Sequence, residues 1–253
     1  MIQHRPFTIL VALLGMSVGL LGWAAPDALR VGAFSEADTS QAVPDQWAPI
    51  ELAKVDTRTQ YDLVPSDSLA GSPTVVRARS DGGAGGLATE RRIDLTEYPV
   101  LEWRWKVSNV LEDGNARIKD GDDYPARIYI TFDYDGLGFG DRIKLTALRA
   151  LGYDEIPTRA LNYIWANQVD RGTTLPNPFT DWVQMLAVRS GSTAVGTWHT
   201  ERRNVLADYR EAFGEDPPPV NGVAIMTDTD NTDGKATAYY GDIVFRKAPE
   251  AAE

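Results

Sequence analysis

Apolar and polar residues alternate along much of the chain. Leu101, Trp103, Trp105 and Val107 are interleaved with Glu102, Arg104 and Lys106. Ile128, Ile130 and Phe132 are interleaved in the same way with Arg127, Tyr129, Thr131 and Asp133. Successive side chains on a strand point to opposite faces, so each segment predicts a strand with one face in a core. Trp103 and Trp105 are assigned to that core. Further strands are expected over Thr74–Ala78, Leu87–Leu95, Asn162–Ala166, Trp182–Arg189, Thr197–Glu201, Val223–Thr227 and Ala238–Phe245. They are β-branched or aromatic runs bounded by Gly, Pro and Asp.

Two segments break the period of two. Arg142–Leu151 follows Asp141 and stops at Gly152, and Val205–Phe213 follows Asn204 and stops at Gly214 ahead of three prolines. Each reads as a short helix with a side-chain cap at its start and a glycine at its end. The expected fold is therefore mostly β: a two-sheet antiparallel β-sandwich, jelly-roll-like, with one or two short helices in the connections.

The first residues follow a different pattern. His4 and Arg5 precede an apolar run from Phe7 to Leu21, and Gly22 and Ala24 are small residues at the spacing of a signal-peptidase site. Residues 1–24 are expected to be a cleaved secretory leader, because the run is short for a membrane span and polar sequence follows. That leaves residues 25–253 as a single domain, periplasmic or secreted, with no membrane span after cleavage.

Composition narrows the chemistry. The chain has no cysteine, which removes disulfides, thiolate metal sites, a cysteine nucleophile and a lipid-modified N-terminus. Its two histidines are His4 and His199, so past the leader only one imidazole is left, too few for a multi-histidine zinc site. The formal net charge of −11 repels phosphate backbones, and nucleic acid is not an expected partner. P-loop and nucleophile-elbow motifs are absent; the glycines from Gly136 to Gly140 read as a tight turn.

Several motifs together carry a family resemblance: Leu101–Val107, Gly121–Ile130, Asn162–Trp165, Ala224–Thr232 and Tyr240–Ile243. In combination they resemble the bacterial domain-of-unknown-function 3047 family. The resemblance implies an exported single-domain protein and no particular activity. The strand pattern also resembles jelly-roll carbohydrate-binding modules, which is an analogy of fold.

Three groups of residues are candidates for function. The first is a polar face of Arg104, Lys106, Arg127 and Tyr129, extended by Trp165 and Trp182. If the two strands are neighbours, this face offers forked cations for carboxylate or sulfate and aromatic faces for a sugar ring. The competing reading is solvated cross-strand pairing, as for Arg104 with Glu102. The second is the acidic stretch Asp120 to Asp123, where Asp122 and Asp123 either touch ligand or bridge to Arg127. The third is Asp228, Asp230, Asn231 and Asp233 with Asp242. These oxygen ligands suit a structural Ca2+, and the alternative is a polar hairpin tip. The leading function is a non-catalytic module binding a polar or anionic glycan or similar small molecule. The alternatives are a polysaccharide lyase or glycoside hydrolase using Tyr129, His199 and Arg127, and a structural envelope protein without a small ligand.

Overall fold

The computed structural model describes residues 26–50, 52, 55–66, 73–136 and 158–249. The proposed leader and the expected helix at Arg142–Leu151 lie outside the described residues. Among the described residues thirteen strands, β1–β13, form two sheets. The first contains β1 (Ala28–Gly32), β3 (Gln60–Pro65), β4 (Thr74–Asp81), β6 (Val100–Val107), β11 (His199–Asn204) and β13 (Lys235–Arg246). Its order is β11-β6-β13-β4-β3, with β1 also pairing with β13. The second contains β2 (Ala48–Ile50), β5 (Gly86–Ile93), β7 (Arg127–Phe132), β8 (Ala160–Ala166), β9 (Thr174–Asn177), β10 (Thr180–Ser190) and β12 (Val220–Met226). Its order is β2-β5-β12-β7-β8-β10-β9.

The mostly β sandwich expected from the alternation is present, with one difference. β10 runs parallel to β8, while the other strand pairs are antiparallel. The chain leaving β8 forms the edge strand β9 first and turns back through Asn177–Thr180 into β10, which therefore points the same way as β8.

The inward faces meet in an aromatic core. Trp103 packs edge-on to Trp105 at 5.4 Å between ring centres and lies 5.3 Å from Tyr163, while Trp105 lies 5.9 Å from Trp165. All four rings are fully buried, and burying rings of this size supplies several kcal/mol of driving force, on the order of 25 cal/mol per Å² of apolar surface. The indole N–H of Trp105 donates to Glu201 at 3.2 Å, and Arg189 also donates to Glu201.

The helix α1 (Val205–Phe213) closes one end of the sandwich. Ala207 N–H donates to the Asn204 side chain at 3.0 Å, and Gly214 ends the helix at a left-handed φ of 72°. Tyr209 packs on Phe132 at 4.6 Å, and the buried Asp208 accepts a bond from Tyr163 at 2.7 Å. A smaller apolar cluster of Tyr124, Ile164, Met185, Ala187 and neighbours forms on the far side of the seven-stranded sheet. The β6–β7 connection is thus folded across the outside of β8 and β10, and every residue of β8 is buried. No helix among the described residues is long and apolar enough to cross a membrane.

Candidate functional site

The polar face of β6 is built by the alternation itself. With Trp103, Trp105 and Val107 in the core, Arg104 and Lys106 project from the outer face of the six-stranded sheet. Tyr239 is the register partner of Lys106 across β6–β13, and Arg77 is the partner of Tyr239 across β13–β4. The Lys106 ammonium stands 4.5 Å from the ring centre of Tyr239 and 5.6 Å from that of Trp198. Arg104 lies 5.9 Å from the Trp198 ring, and the two rings are 6.4 Å apart. Gly241 permits this closeness: a Cβ there would lie 3.2 Å from the Arg104 Cβ and 3.7 Å from the Trp198 ring.

One register step along, the face opens into a cleft of about 510 Å³ whose lining includes Arg58, Arg79, Asp81, Asn109, Lys235 and Thr237. Arg77 pairs with Asp62 at 3.0 Å and Lys235 with Asp81 at 2.7 Å. Arg79 also reaches Asp62, at 3.8 Å, so Arg77, Arg79, Arg104, Lys106 and Lys235 stand with Asp62, Asp81 and Glu102 on a chain whose net charge is −11.

Arg127 and Tyr129 do not join this face. β7 belongs to the seven-stranded sheet, between β12 and β8, and its outer face points away from that of β6. The expected patch of Arg104, Lys106, Arg127 and Tyr129 is therefore split between opposite sides of the sandwich. Alternation assigns a residue to a face; the β6–β7 connection, by crossing between sheets, decides which side that face is on. Trp165 is likewise removed from the surface, since it is fully buried between the sheets. Trp182 is buried in β10, at 5% exposure.

The expected constellation of Tyr129, His199 and Arg127 is not assembled either. His199 sits on β11 with its Nε2 2.9 Å from Thr197 Oγ1 and 3.0 Å from Ala194 O, and its ring meets the inward-facing Trp165 edge-on at 5.6 Å. Tyr129 and Arg127 lie on the other side of the sheet that carries Trp165.

Arg127 is the centre of a buried polar cluster. Its guanidinium is ion-paired to Asp228 and lies 3.7 Å from Asp122, with the rings of Tyr124 and Tyr129 at 5.0 and 5.4 Å. Asp122 accepts from Tyr124 Oη at 3.0 Å and Asn177 Nδ2 at 2.9 Å. Asp123 accepts from the backbone N–H of Asn231 and, at 2.7 Å, from both the N–H and hydroxyl of Thr232. It thereby holds the turn after β12 in place. Burial pushes the Asp228 carboxyl well above the usual carboxylate range despite the opposing pull of Arg127. Burial is also the main cause that raises Asp122 and Asp230.

The acidic residues regroup relative to the expected calcium set. Carboxylate oxygens of Asp123, Asp228 and Asp230 lie within 4.8 Å of one another. Asp242 is engaged elsewhere, accepting from the N–H and hydroxyl of Ser35 at 2.8 and 2.7 Å. A register shift between Tyr240 and Ile243 accompanies this placement. Asp233 adopts a left-handed φ of 52° in the turn, and Asn231 contributes its backbone N–H to Asp123. Oxygen donors of this kind fit calcium, but Asp228 already has a guanidinium as its counter-charge.

A family model described as Protein of unknown function (DUF3047) matches residues 45–244. The chain belongs to this family. The match spans both outer faces and the Arg127 cluster of this DUF3047 protein. No curated protein matches the chain. Among solved structures it matches the glycoside hydrolase domain of Endo-D from Streptococcus pneumoniae R6, at 9% identity and a TM-score of 0.37, over 82% of this chain and 22% of that one. It also matches the K1 cleaved adhesin domain of Lys-gingipain from Porphyromonas gingivalis W83, at 12% identity and a TM-score of 0.39, over 88% and 99% of the two chains. A β-1,2-glucanase from Parabacteroides distasonis matches at 12% identity and a TM-score of 0.39, over 81% of this chain and 23% of that one.

Sequence reasoning about this DUF3047 protein missed Trp198, Tyr239 and the cleft residues. Tyr239 alternates with the buried Ala238 and Tyr240, so period two was the signal that would have placed it outward. No local signal marks Trp198, which reaches Lys106 only because β11 pairs with β6.

Proposed function

We propose that this protein is an exported, non-catalytic binding module for an anionic glycan, engaged on the outer face of the six-stranded sheet. The observation that carries this reading is the Lys106 ammonium set against Tyr239 and Trp198 beside a cationic cleft. Aromatic faces suit the C–H face of a sugar ring, and cations suit its carboxylate or sulfate groups. Cation–π contact at an exposed site is worth only about 0.5–1 kcal/mol. It orients the ammonium between the two rings. A cationic face on an acidic protein also attracts anions selectively at close range, within a Debye length of about 8 Å at physiological salt. Arg104 and Lys106 are the ligand residues of this reading. Asp122, Asp123 and Arg127 lie on the other side of the sandwich and take no part in this face. The lyase or hydrolase alternative has no support from an assembled set of Tyr129, His199 and Arg127.

Affinity electrophoresis of the chain beginning at Ala25 tests the reading, in gels containing polygalacturonate, heparin or neutral dextran. Retardation by at least one polyanion and not by dextran is expected, and Lys106→Glu abolishes it. Equal mobility in all three gels sinks the proposal. Export is checked separately: a periplasmic or secreted product whose N-terminus is Ala25 is expected, and a membrane-bound product retaining Met1 contradicts it.

A further inference from the structure

We propose that the outer face of the seven-stranded sheet holds a second, buried polar subsite, centred on Asn162, that takes a hydroxyl of a neutral polyhydroxylated molecule such as a sugar. Consecutive register partners form a row across this sheet: Ala88, Ala224, Tyr129, Asn162 and Met185. Asn162 has 0% exposure, and neither its Oδ1 nor its Nδ2 has a hydrogen-bond partner among the described residues. On the same face, one step along β7, Arg127 has its buried Nε and Nη1 without hydrogen-bond partners.

Buried polar groups in folded proteins are almost always satisfied, and an unsatisfied one costs about 1–3 kcal/mol. Asn162 has neighbours with which an apolar side chain would pack: Met185 is its partner on β10, and Ile164 and Ala187 lie in the next row. A leucine there would leave no amide unpaired, whereas Asn162 leaves a donor and an acceptor unmet.

The donors and acceptors define that occupant. Asn162 Nδ2 and Arg127 Nε and Nη1 require acceptors, and Asn162 Oδ1 requires a donor. A hydroxyl supplies both roles at once. An anion is disfavoured, because Asp122 and Asp228 flank Arg127 and already provide negative charge. A cation finds donors where it needs acceptors. Ala88 and Ala224 are small side chains beside Tyr129, and Ala88 and Tyr129 are the half-buried members of the row. The row therefore sets a half-buried phenol ring beside the unpaired amide.

The test uses the chain from Ala25 with glycerol, glucose, galactose and N-acetylglucosamine as separate probes. The side-chain amide resonance of Asn162, assigned by comparison with Asn162→Leu, is expected to shift with at least one probe. The same probe is expected to raise Tm by about 5 °C at a hundredfold excess over its Kd. Asn162→Leu raises Tm without any probe and loses the response, whereas Lys106→Glu keeps it, which separates this subsite from the anionic face. A resonance unmoved by all four probes, with a single ordered water bonded to Asn162 in a crystal structure, overturns the proposal. So does a lower Tm for Asn162→Leu, which would mean that the amide is already satisfied by the fold.

Discussion

Lys106 and Tyr239 are register partners across β6 and β13, and the ammonium lies 4.5 Å from the phenol ring centre. Trp198 closes the arrangement from the loop ahead of β11. The rings rest on the outside of a sheet whose other face carries the tryptophan core, so their loss and the loss of the fold are separable. Trp198→Ala is expected to lower Tm by no more than about 4 °C, the effect of roughly 1 kcal/mol in a domain of this size. Differential scanning calorimetry reads this directly. A drop several times larger would make Trp198 part of the core and remove it from the binding face.

Arg127 behaves in the opposite way. It is 4% exposed and is the only guanidinium paired with Asp228 and Asp122 among the described residues. Removing one partner of a buried pair typically costs about 3–5 kcal/mol, because the remaining charge is left uncompensated. Arg127→Ala is expected to lower Tm by about 10 °C or more at neutral pH. A variant that melts with the parent protein would show that the pairing with Asp228 and Asp122 does not hold the fold.

The three clustered carboxylates separate two accounts of the turn after β12. Asp230 is raised above the ordinary carboxylate range, first by burial and then by Asp123. A carboxyl whose folded pKa is raised binds more protons folded than unfolded between the two values. Its ionised form therefore destabilises the fold above that window, and the penalty fades as pH falls through it. With Arg127 as the counter-charge, Asp230→Asn is expected to raise Tm slightly at pH 7, the effect being small because Asp230 is exposed and screened by solvent. The gain should shrink on acidification toward the ordinary carboxylate range, and melting in EDTA and in excess calcium should coincide. If the parent protein melts several degrees higher in calcium and Asp230→Asn abolishes that difference, a calcium ion is the counter-charge.

The strands and their faces were legible wherever one face meets solvent. β6 and β7 show a clean period of two, and the structure buries Trp103, Trp105, Ile128 and Ile130 accordingly. The helix α1 was legible because Asn204 and Gly214 mark its ends. β8 is different: both of its faces are covered, so its apolar run carries no alternation, and the sequence alone lets Trp165 read as a surface residue. Long-range placement was not legible at all. Nothing local to Arg104 or Arg127 says that their strands enter different sheets. Asp242 follows the acidic turn in sequence, yet the register shift after Tyr240 commits it to Ser35. Asn162 gave no warning either, because an amide in an apolar run looks the same whether or not the fold satisfies it.

The central claim is that the outer face of the six-stranded sheet binds an anionic glycan through Lys106, Arg104 and Trp198. Isothermal titration of the chain from Ala25 with oligogalacturonate and with heparin-derived oligosaccharides, at low and at physiological ionic strength, tests it most directly. The account predicts binding of at least one of them that weakens as salt rises. It also predicts a loss of about tenfold or more, ~1.4 kcal/mol, for both Lys106→Glu and Trp198→Ala, each folded as the parent is. Absence of binding heat with both ligand classes, or affinities unchanged in the two variants, would contradict it.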